Sequence, residues 1–315
     1  MITLQALRKI IKDNQVLVLD GGQSTVLERR GFNLQTPLWT AGLLQSHPQA
    51  VVDLYQTYLA AGADCIGTLS YQATIPGFMK QGLSLNEAED LLRKSVSLAI
   101  DAREGYLNTA KLPRRFQPLI AACIGPYGAY LANGAEYHGR YGITRQELYD
   151  FHSSRLSLLA DTRADLIAFE TIPGLAEAEI LLELLKVSPA TSAWMSFSCR
   201  DVKHISDGTP IAACAELLKA CEQILAIGIN CTAPALVSPL IKEILKIAPE
   251  KLVAVYPNSG QQYDGGMRRW TGRADPVRFG EAAAQWYDDG ARLIGGCCQT
   301  GPAHIQAIRN QFNGN

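Results

Sequence analysis

The chain has 315 residues, of which 47% are hydrophobic and 19% charged, a balance typical of a globular protein. Its formal net charge of −1 gives no attraction toward nucleic acid or an acidic membrane surface, so neither is an expected partner. No apolar run approaches the roughly 20 residues that cross a bilayer, and the first residues lack the build of a secretory signal. A cytoplasmic protein is therefore expected.

The chain contains eight cysteines, which in the cytoplasm are expected to be reduced thiols. Buried cysteines most often pack as small hydrophobic side chains. Five of the eight lie within apolar stretches and are interpreted in this way: Cys65, Cys123, Cys199, Cys214 and Cys221.

Short apolar runs bounded by turn residues predict eight β-strands. Several of these runs carry apolar side chains at consecutive positions, as parallel strands buried on both faces do. In chain order the predicted strands are Val16–Asp20, Asp64–Thr68, Pro118–Cys123, Asp165–Glu170, Ala193–Ser198, Ile224–Asn230, Leu252–Pro257 and Arg292–Gly296.

Helical patterns lie between these strands. Capping boxes at Ser84–Glu87 and Thr144–Glu147 mark two helix starts. Strand, loop and helix alternate eight times with no linker or low-complexity tract, which favours one (β/α)8 TIM barrel, a single domain over residues 1–315. A doubly wound sheet of eight strands is the alternative that this pattern leaves open.

Barrel enzymes place their active sites at the carboxyl ends of the strands. In this sequence those ends are rich in polar and metal-binding residues, among them Asp20, Gly21, Tyr71, Gln72, Glu170, Asn230, Cys231, Cys297 and Cys298. The site is therefore expected at this rim.

Three of the rim residues are cysteines, and a metal site depends on whether their thiols meet. Cys297 and Cys298 are neighbours, and neighbouring strand residues point to opposite faces unless the backbone leaves strand geometry. The preceding Gly295 and Gly296 allow that departure, because glycine reaches dihedral angles closed to other residues. Core or loop thiols without a function, or a strained disulfide between the vicinal pair, are the alternatives.

Three thiolates without a histidine favour Zn²⁺ among the biological metals, and three protein ligands leave one position open, as in catalytic zinc sites. Such a centre has a net charge near −1 and polarises carbonyl groups poorly. It suits the deprotonation of an incoming thiol, whose free pKa is about 8.5. The predicted reaction is attack by a substrate sulfur on an electrophilic carbon.

The motifs together resemble the homocysteine S-methyltransferases, most closely those that use S-methylmethionine. The resemblance runs from about Val16 to Gly301, nearly the whole chain. It rests on Asp20-Gly21-Gly22, Ser70-Tyr71-Gln72-Ala73-Thr74, Gly125–Leu131, Glu170-Thr171, Gly228–Cys231, Tyr256–Gly260 and Gly295–Cys298.

The resemblance implies a zinc-dependent barrel in which Cys231, Cys297 and Cys298 hold Zn²⁺ and homocysteine takes the open position. Asp20 and Glu170 would receive the amino acid, Glu170 taking its ammonium group. The matching motifs place Gly21, Tyr71, Gln72 and Asn230 among the residues that bind substrate.

A long segment, Gly125–Gly142, is rich in glycine and tyrosine and exceeds the usual length of a βα loop. We interpret it as a lid in which Tyr127 and Tyr130 meet the cationic methyl donor by cation–π attraction. The alternative is a loop whose tyrosines form a small core of their own.

The predicted reaction is direct transfer of a methyl group from S-methylmethionine, or less readily S-adenosylmethionine, to the homocysteine thiolate, giving methionine. A selenocysteine or selenohomocysteine methyltransferase would need the same pocket, so this alternative function stays open. Two further alternatives are a barrel lyase or hydrolase that uses Asp20 and Glu170 as an acid–base pair, and a non-enzymatic zinc-binding protein. The sequence makes no prediction of oligomeric state.

Overall fold

The computed structural model describes residues 1–109, 116–264, 269–272 and 274–312. Within them, eight parallel strands form one sheet in the order β1-β10-β7-β6-β5-β4-β3-β2. These strands are β1 (Leu17–Val18), β2 (Cys65–Gly67), β3 (Leu119–Ile124), β4 (Leu166–Ile172), β5 (Ala193–Phe197), β6 (Ile224–Asn230), β7 (Leu252–Tyr256) and β10 (Leu293–Ile294). A separate antiparallel pair consists of β8 (Gln262–Asp264) and β9 (Arg269–Thr271).

The first and last strands of this order meet and close the sheet. Leu19 forms a parallel bridge with Cys65, and the Asp64 N–H donates to the Val18 carbonyl over 2.7 Å. The parallel register of all eight strands, joined by helical crossovers, confirms the predicted (β/α)8 barrel and rules out the doubly wound sheet.

The helices alternate with the strands along the chain. They are α1 (Leu4–Asn14), α2 (Gln23–Arg29), α3 (Leu43–Ser46), α4 (Pro48–Ala60), α5 (Ile75–Lys80), α6 (Leu85–Thr109), α7 (Tyr127–Leu131), α8 (Arg145–Ala160), α9 (Leu175–Lys186), α10 (Ile211–Leu218), α11 (Val237–Ile247), α12 (Pro276–Asp288) and α13 (Pro302–Gln311), with 3₁₀ turns at Trp39–Gly42, Ala135–Tyr137 and Pro234–Leu236. The capping box at Thr144 begins α8 as predicted, since Thr144 and Glu147 exchange side-chain and backbone hydrogen bonds. None of the helices in the described ranges has the length and apolar character of a membrane span.

Two apolar layers hold the barrel together. The larger lies between the strands and the helices, and the smaller fills the barrel interior. The interior combines small residues, such as Ala168 and Ala226, with the large Trp194, which is how side chains from neighbouring strands fill a narrow barrel. This filled interior leaves the strand ends as the place for a site.

The five cysteines expected in the core divide into two groups. Cys65, Cys123 and Cys214 are buried, which confirms the prediction for them, whereas Cys199 and Cys221 are partly exposed at the margin of the outer layer. All eight cysteines are free thiols.

Candidate active site

The three rim cysteines meet at the carboxyl end of the barrel. The Sγ atoms of Cys231, Cys297 and Cys298 all lie within 4.8 Å of one another. The Cys231 and Cys298 sulfurs are 3.5 Å apart. Thiols delivered by the end of β6 and by the segment after β10 therefore converge as the metal hypothesis requires.

Each cysteine reaches this cluster because the backbone leaves the strand at that point. Cys231 has a φ of 50°, in the left-handed region that non-glycine residues seldom occupy, directly after the last residue of β6. The Cys297 N–H donates to the Pro257 carbonyl over 2.8 Å, and the Cys298 N–H donates to Oδ1 of Asn258 over 3.2 Å. The segment after β7 thus orients both members of the vicinal pair.

The two glycines before the pair are needed for space, not for unusual dihedral angles. β10 ends at Ile294, two residues before the predicted end at Gly296, and neither Gly295 nor Gly296 has a positive φ, which corrects the reason given for them from the sequence. A Cβ at Gly295 would lie 2.6 Å from Cβ of Leu19, and one at Gly296 would lie 2.4 Å from Oγ1 of Thr300. Close approach of the segment after β1 therefore selects glycine at position 295, and close approach of Thr300 selects it at position 296.

The loop after β1 and the segment after β10 are hydrogen-bonded to each other. The Gly296 N–H donates to the Asp20 carbonyl over 3.0 Å, and the Gly22 N–H donates to Thr300 Oγ1 over 3.0 Å. A Cβ at Gly22 would lie 2.5 Å from the Cys297 carbonyl oxygen. The predicted substrate residue Gly21 is buried, and a Cβ there would lie 3.0 Å from Thr300 Oγ1.

The protonation of the cluster indicates what it can bind. Hydrogen bonds from the Cys297 and Cys298 thiols hold the pKa of Cys231 well below its ordinary value. The same hydrogen bonds raise the pKa values of Cys297 and Cys298, since each donates its proton to the Cys231 sulfur. A divalent cation would displace those two protons, because metal-bound thiols are deprotonated.

The spacing of the sulfurs suits Zn²⁺. Tetrahedral coordination with Zn–S bonds of about 2.3 Å separates two thiolate ligands by roughly 3.8 Å. The observed 3.5 Å between Cys231 and Cys298 is close to this value. Three thiolates without a fourth protein thiol or histidine in the described residues match an open, catalytic type of site.

Tyr137 contacts the cluster from the segment that was predicted to be a lid. Its hydroxyl lies 3.4 Å from Cys231 Sγ, and the negative charge of Cys231 raises the pKa of Tyr137. The side chain remains about half exposed, with a relative accessibility of 50%. Sequence reasoning named Tyr127 and Tyr130 instead. The segment contains four tyrosines, and nothing in the local sequence distinguishes the one that reaches the cysteine cluster.

Asp20 lies at the end of the first strand with an oriented carboxylate. Its Oδ2 accepts hydrogen bonds from Gln23 Nε2 over 2.9 Å and from the Gly67 N–H over 3.1 Å. Gln23 also donates to the Gly67 carbonyl over 2.6 Å, so it bridges the first two strand ends. Burial raises the pKa of Asp20 from 3.8 to about 7. Gln23 is a positioning residue that the sequence did not single out.

Glu170 is the second carboxylate of the mouth. Burial and the charge of Asp20 raise its pKa from 4.5 to about 8, against hydrogen bonds with Cys123 and Tyr256 that lower it. Two carboxyl groups that resist ionisation form a favourable site for a cation, since an ammonium group offsets both burial and mutual repulsion.

Asn230 positions Glu170 indirectly. Its Oδ1 accepts from the Thr171 N–H over 2.8 Å, and its Nδ2 donates to Thr171 Oγ1 over 2.7 Å. Thr171 has a φ of 59° at a register shift between β4 and β5, a conformation that is strained for a β-branched residue. Asn230 is buried, and its amide holds this bulge, which directly follows Glu170 in β4.

The remaining predicted substrate residues, Tyr71 and Gln72, lie in the segment between β2 and α5. Burial and the charges of Cys231 and Glu136 raise the pKa of Tyr71, while a hydrogen bond with Thr171 lowers it. Tyr71 therefore faces the cluster. Gln72 is buried, and its Nε2 donates to the Pro37 carbonyl over 3.3 Å, so its amide supports the loop before α3.

Tyr127 and Tyr130 belong to an aromatic cluster. The Tyr127 ring packs against Tyr130, Tyr141 and Phe151 with centroid distances of 4.8 to 5.5 Å. The Lys80 ammonium group lies 4.7 Å from the Tyr130 centroid, so that ring already has a cation partner. These contacts favour the small-core interpretation for these two residues, whose role toward the donor remains a prediction.

A buried polar network fixes the segment that carries Tyr137. Glu177 accepts from the Tyr127 N–H over 2.7 Å, from the Tyr141 hydroxyl over 2.6 Å and from His152 Nε2 over 2.8 Å. Arg155 joins His152 Nδ1 and the Gly125 carbonyl. Burial lowers the pKa of Arg155 to about 10. This network anchors both ends of the segment to α8 and α9.

The homocysteine S-methyltransferase family matches residues 17–312 of the chain. Homocysteine S-methyltransferase YbgG of Bacillus subtilis is 48% identical over 307 residues, which cover 97% of each chain. Selenocysteine Se-methyltransferase of Brassica oleracea is 41% identical and covers 98% of this chain and 93% of its own length. The crystal structure of the metallated form of the homocysteine methyltransferase MmuM from Escherichia coli superposes with a TM-score of 0.87, at 40% identity, over 97% of this chain and 99% of that one.

Proposed function

Because the chain belongs to the homocysteine S-methyltransferase family and is an enzyme of that class, we propose that it uses Zn²⁺ to methylate L-homocysteine. The proposed donor is S-methylmethionine, with S-adenosylmethionine as a poorer one. The observation that carries the proposal is the convergence of three thiols, which would leave one position of a tetrahedral ion for the substrate. When bound, Zn²⁺ supplies the charge that keeps the homocysteine sulfur as a thiolate.

The amino-acid end of homocysteine is bound by the two carboxylates. Asp20 and Glu170 receive the ammonium group, and Gln23 keeps the Asp20 carboxylate turned toward it. Asn230 contributes through the bulge at Thr171, which sets the direction of Glu170. Holding the substrate at both ends aligns its sulfur for attack and removes much of the entropic barrier.

The transfer itself is a single displacement. The homocysteine sulfur forms a bond to the methyl carbon as the bond from that carbon to the donor sulfonium breaks, and the bonding pair leaves with the donor sulfur as a neutral thioether. No proton is needed at the leaving group. Opposite charges cancel in the transition state, so exclusion of water by the Tyr137 segment favours the step.

A selenol acceptor is the second candidate, and the selenocysteine Se-methyltransferase relative favours it. A selenol ionises more readily than a thiol and presents the same amino-acid group to Asp20 and Glu170. Comparison of kcat/KM for homocysteine and selenocysteine with the same donor separates the two. Neither the family nor these relatives supports a lyase or hydrolase that uses Asp20 and Glu170.

The decisive experiment couples metal analysis to methionine formation. We expect about one zinc per chain, and loss of turnover when a chelator removes it, restored by added zinc. Cys298→Ser should lose zinc and activity together, whereas Cys221→Ser, a thiol at the margin of the outer layer, should keep both. Full activity in metal-free protein would contradict the proposal.

A further inference from the structure

Glu136 brings to the mouth a carboxylate that homocysteine binding does not use. Its Oε2 atom is out of contact with solvent and has no hydrogen-bond partner among the described residues. Among the described residues it forms no salt bridge with a lysine or arginine, and burial together with the Cys231 charge raises its pKa, against a hydrogen bond from its own backbone N–H. A buried oxygen without a partner destabilises the folded state, so it calls for an explanation.

The carboxylate is held in place by its backbone. Glu136 is the middle residue of the 3₁₀ turn Ala135–Tyr137, next to the tyrosine that contacts Cys231. Ser198 Oγ donates to the Glu136 carbonyl over 3.3 Å. A Cβ at Gly128 would lie 2.3 Å from the Glu136 nitrogen, so α7 packs directly on the turn. These contacts fix the backbone from which the Glu136 side chain extends.

The missing partner must be cationic and able to donate a hydrogen bond. Homocysteine already has Asp20 and Glu170 for its single ammonium group, so the partner belongs to the other substrate. That substrate carries two positive centres, a sulfonium and an α-ammonium. A sulfonium has no N–H to donate, and its charge vanishes during transfer, so a carboxylate beside it would stabilise the ground state more than the transition state.

We propose that Glu136 binds the α-ammonium group of the methyl donor, an inference that rests on the proposed function. Glu136 lies in the same 3₁₀ turn as Tyr137, whose hydroxyl lies 3.4 Å from Cys231 Sγ, so a donor bound at this carboxylate would lie on the side of the mouth where the cysteines meet. The contact is the same in the ground state and the transition state, and it therefore governs donor affinity, not the rate of the chemical step.

The test is the variant Glu136→Gln, with Glu179→Gln as the control, because Glu179 is exposed on α9 and carries the same charge. In Glu136→Gln the KM for S-methylmethionine should rise about tenfold or more, with kcat, the KM for homocysteine and the zinc content unchanged. The control should leave all four values within about twofold.

A second donor makes the assignment specific. The desamino analogue of S-methylmethionine keeps the sulfonium and the carboxylate but lacks the ammonium group. The wild-type enzyme should prefer S-methylmethionine to this analogue, and Glu136→Gln should lose most of that preference. An unchanged preference, or a rise confined to the KM for homocysteine, would overturn the assignment while leaving methyl transfer intact. Absence of methyl transfer in the wild type would instead refute the proposed function.

Discussion

Replacement of Asp20 by asparagine should stabilise the protein while weakening its substrate site. The carboxylate is ionised at pH 8 in both the folded and the unfolded chain, but burial raises its folded pKa from 3.8 to about 7. A shift of this size corresponds to about 4 kcal/mol of unfavourable free energy in the folded state. Because the side chain keeps some contact with solvent, we expect about half of this, or about 2 kcal/mol.

The gain should depend on pH in a defined direction. The folded pKa is the higher one, so the penalty is absent below pH 3.8, grows as the pH rises toward 7 and is complete above it. Asp20→Asn should therefore gain about 2 kcal/mol at pH 8 but only about 1 kcal/mol at pH 5. Asparagine keeps an acceptor oxygen for Gln23 and for the Gly67 N–H, so no hydrogen bond is lost.

The assay is urea or thermal unfolding of the metal-loaded protein at both pH values, in which about 2 kcal/mol appears as a rise in Tm of roughly 3 °C. Asp53→Asn, an exposed position on α4, is the control and should change neither value. The KM for homocysteine should rise in Asp20→Asn. A variant that is no more stable at pH 8, or that gains equally at both pH values, would refute the reasoning.

Three other predictions concern the mouth and its supports. Methionine, which has the ammonium group but no titratable thiol, should bind more tightly as pH rises from 6 to 8, because Asp20 and Glu170 ionise with pKa values of about 7 and about 8; calorimetry on Glu170→Gln should show a smaller rise. Asn230→Ala removes both hydrogen bonds to Thr171 and should lower the free energy of unfolding by about 2 kcal/mol, with weaker homocysteine binding. If Asn230→Ala keeps its zinc and binds homocysteine as tightly as the wild type, the positioning role of Asn230 is contradicted. Glu177→Gln breaks a buried charged network and should cost about 3 kcal/mol, with faster proteolysis between α7 and α8; equal proteolysis rates would argue against anchoring.

The barrel could be predicted because its signal repeats. Each buried parallel strand has consecutive apolar residues and several helices begin with recognisable caps, so errors at single elements do not disturb the count. The bounds were less accurate: β1 extends over Leu17–Val18 and not Val16–Asp20. Strand ends in a barrel depend on the stagger between neighbours, which is a property of the closed sheet.

Part of the candidate site could be predicted from the sequence and part could not. The three cysteines could be predicted from residue type and from their places at strand ends. The partner of Asn230 could not, because its contact with Thr171 depends on how β4 and β6 face each other across β5. Tyr137 and Glu136 were missed for a related reason. They act from a 3₁₀ turn whose position is set by Gly128 and by the buried network, and neither feature has a signature in the local sequence.

The hydrogen bonds between Asp20, Gly22, Gly296 and Thr300 have a consequence for biosynthesis. A nascent chain that has emerged only as far as β7 already contains Asp20 and Cys231 but neither member of the vicinal pair. Under the proposed function, an ion held by all three cysteines could be captured only after the segment that follows β10 docks beside the end of β1, so metal loading would report that the barrel has closed. Metal starvation in a growing cell would then leave finished chains idle without hindering their synthesis.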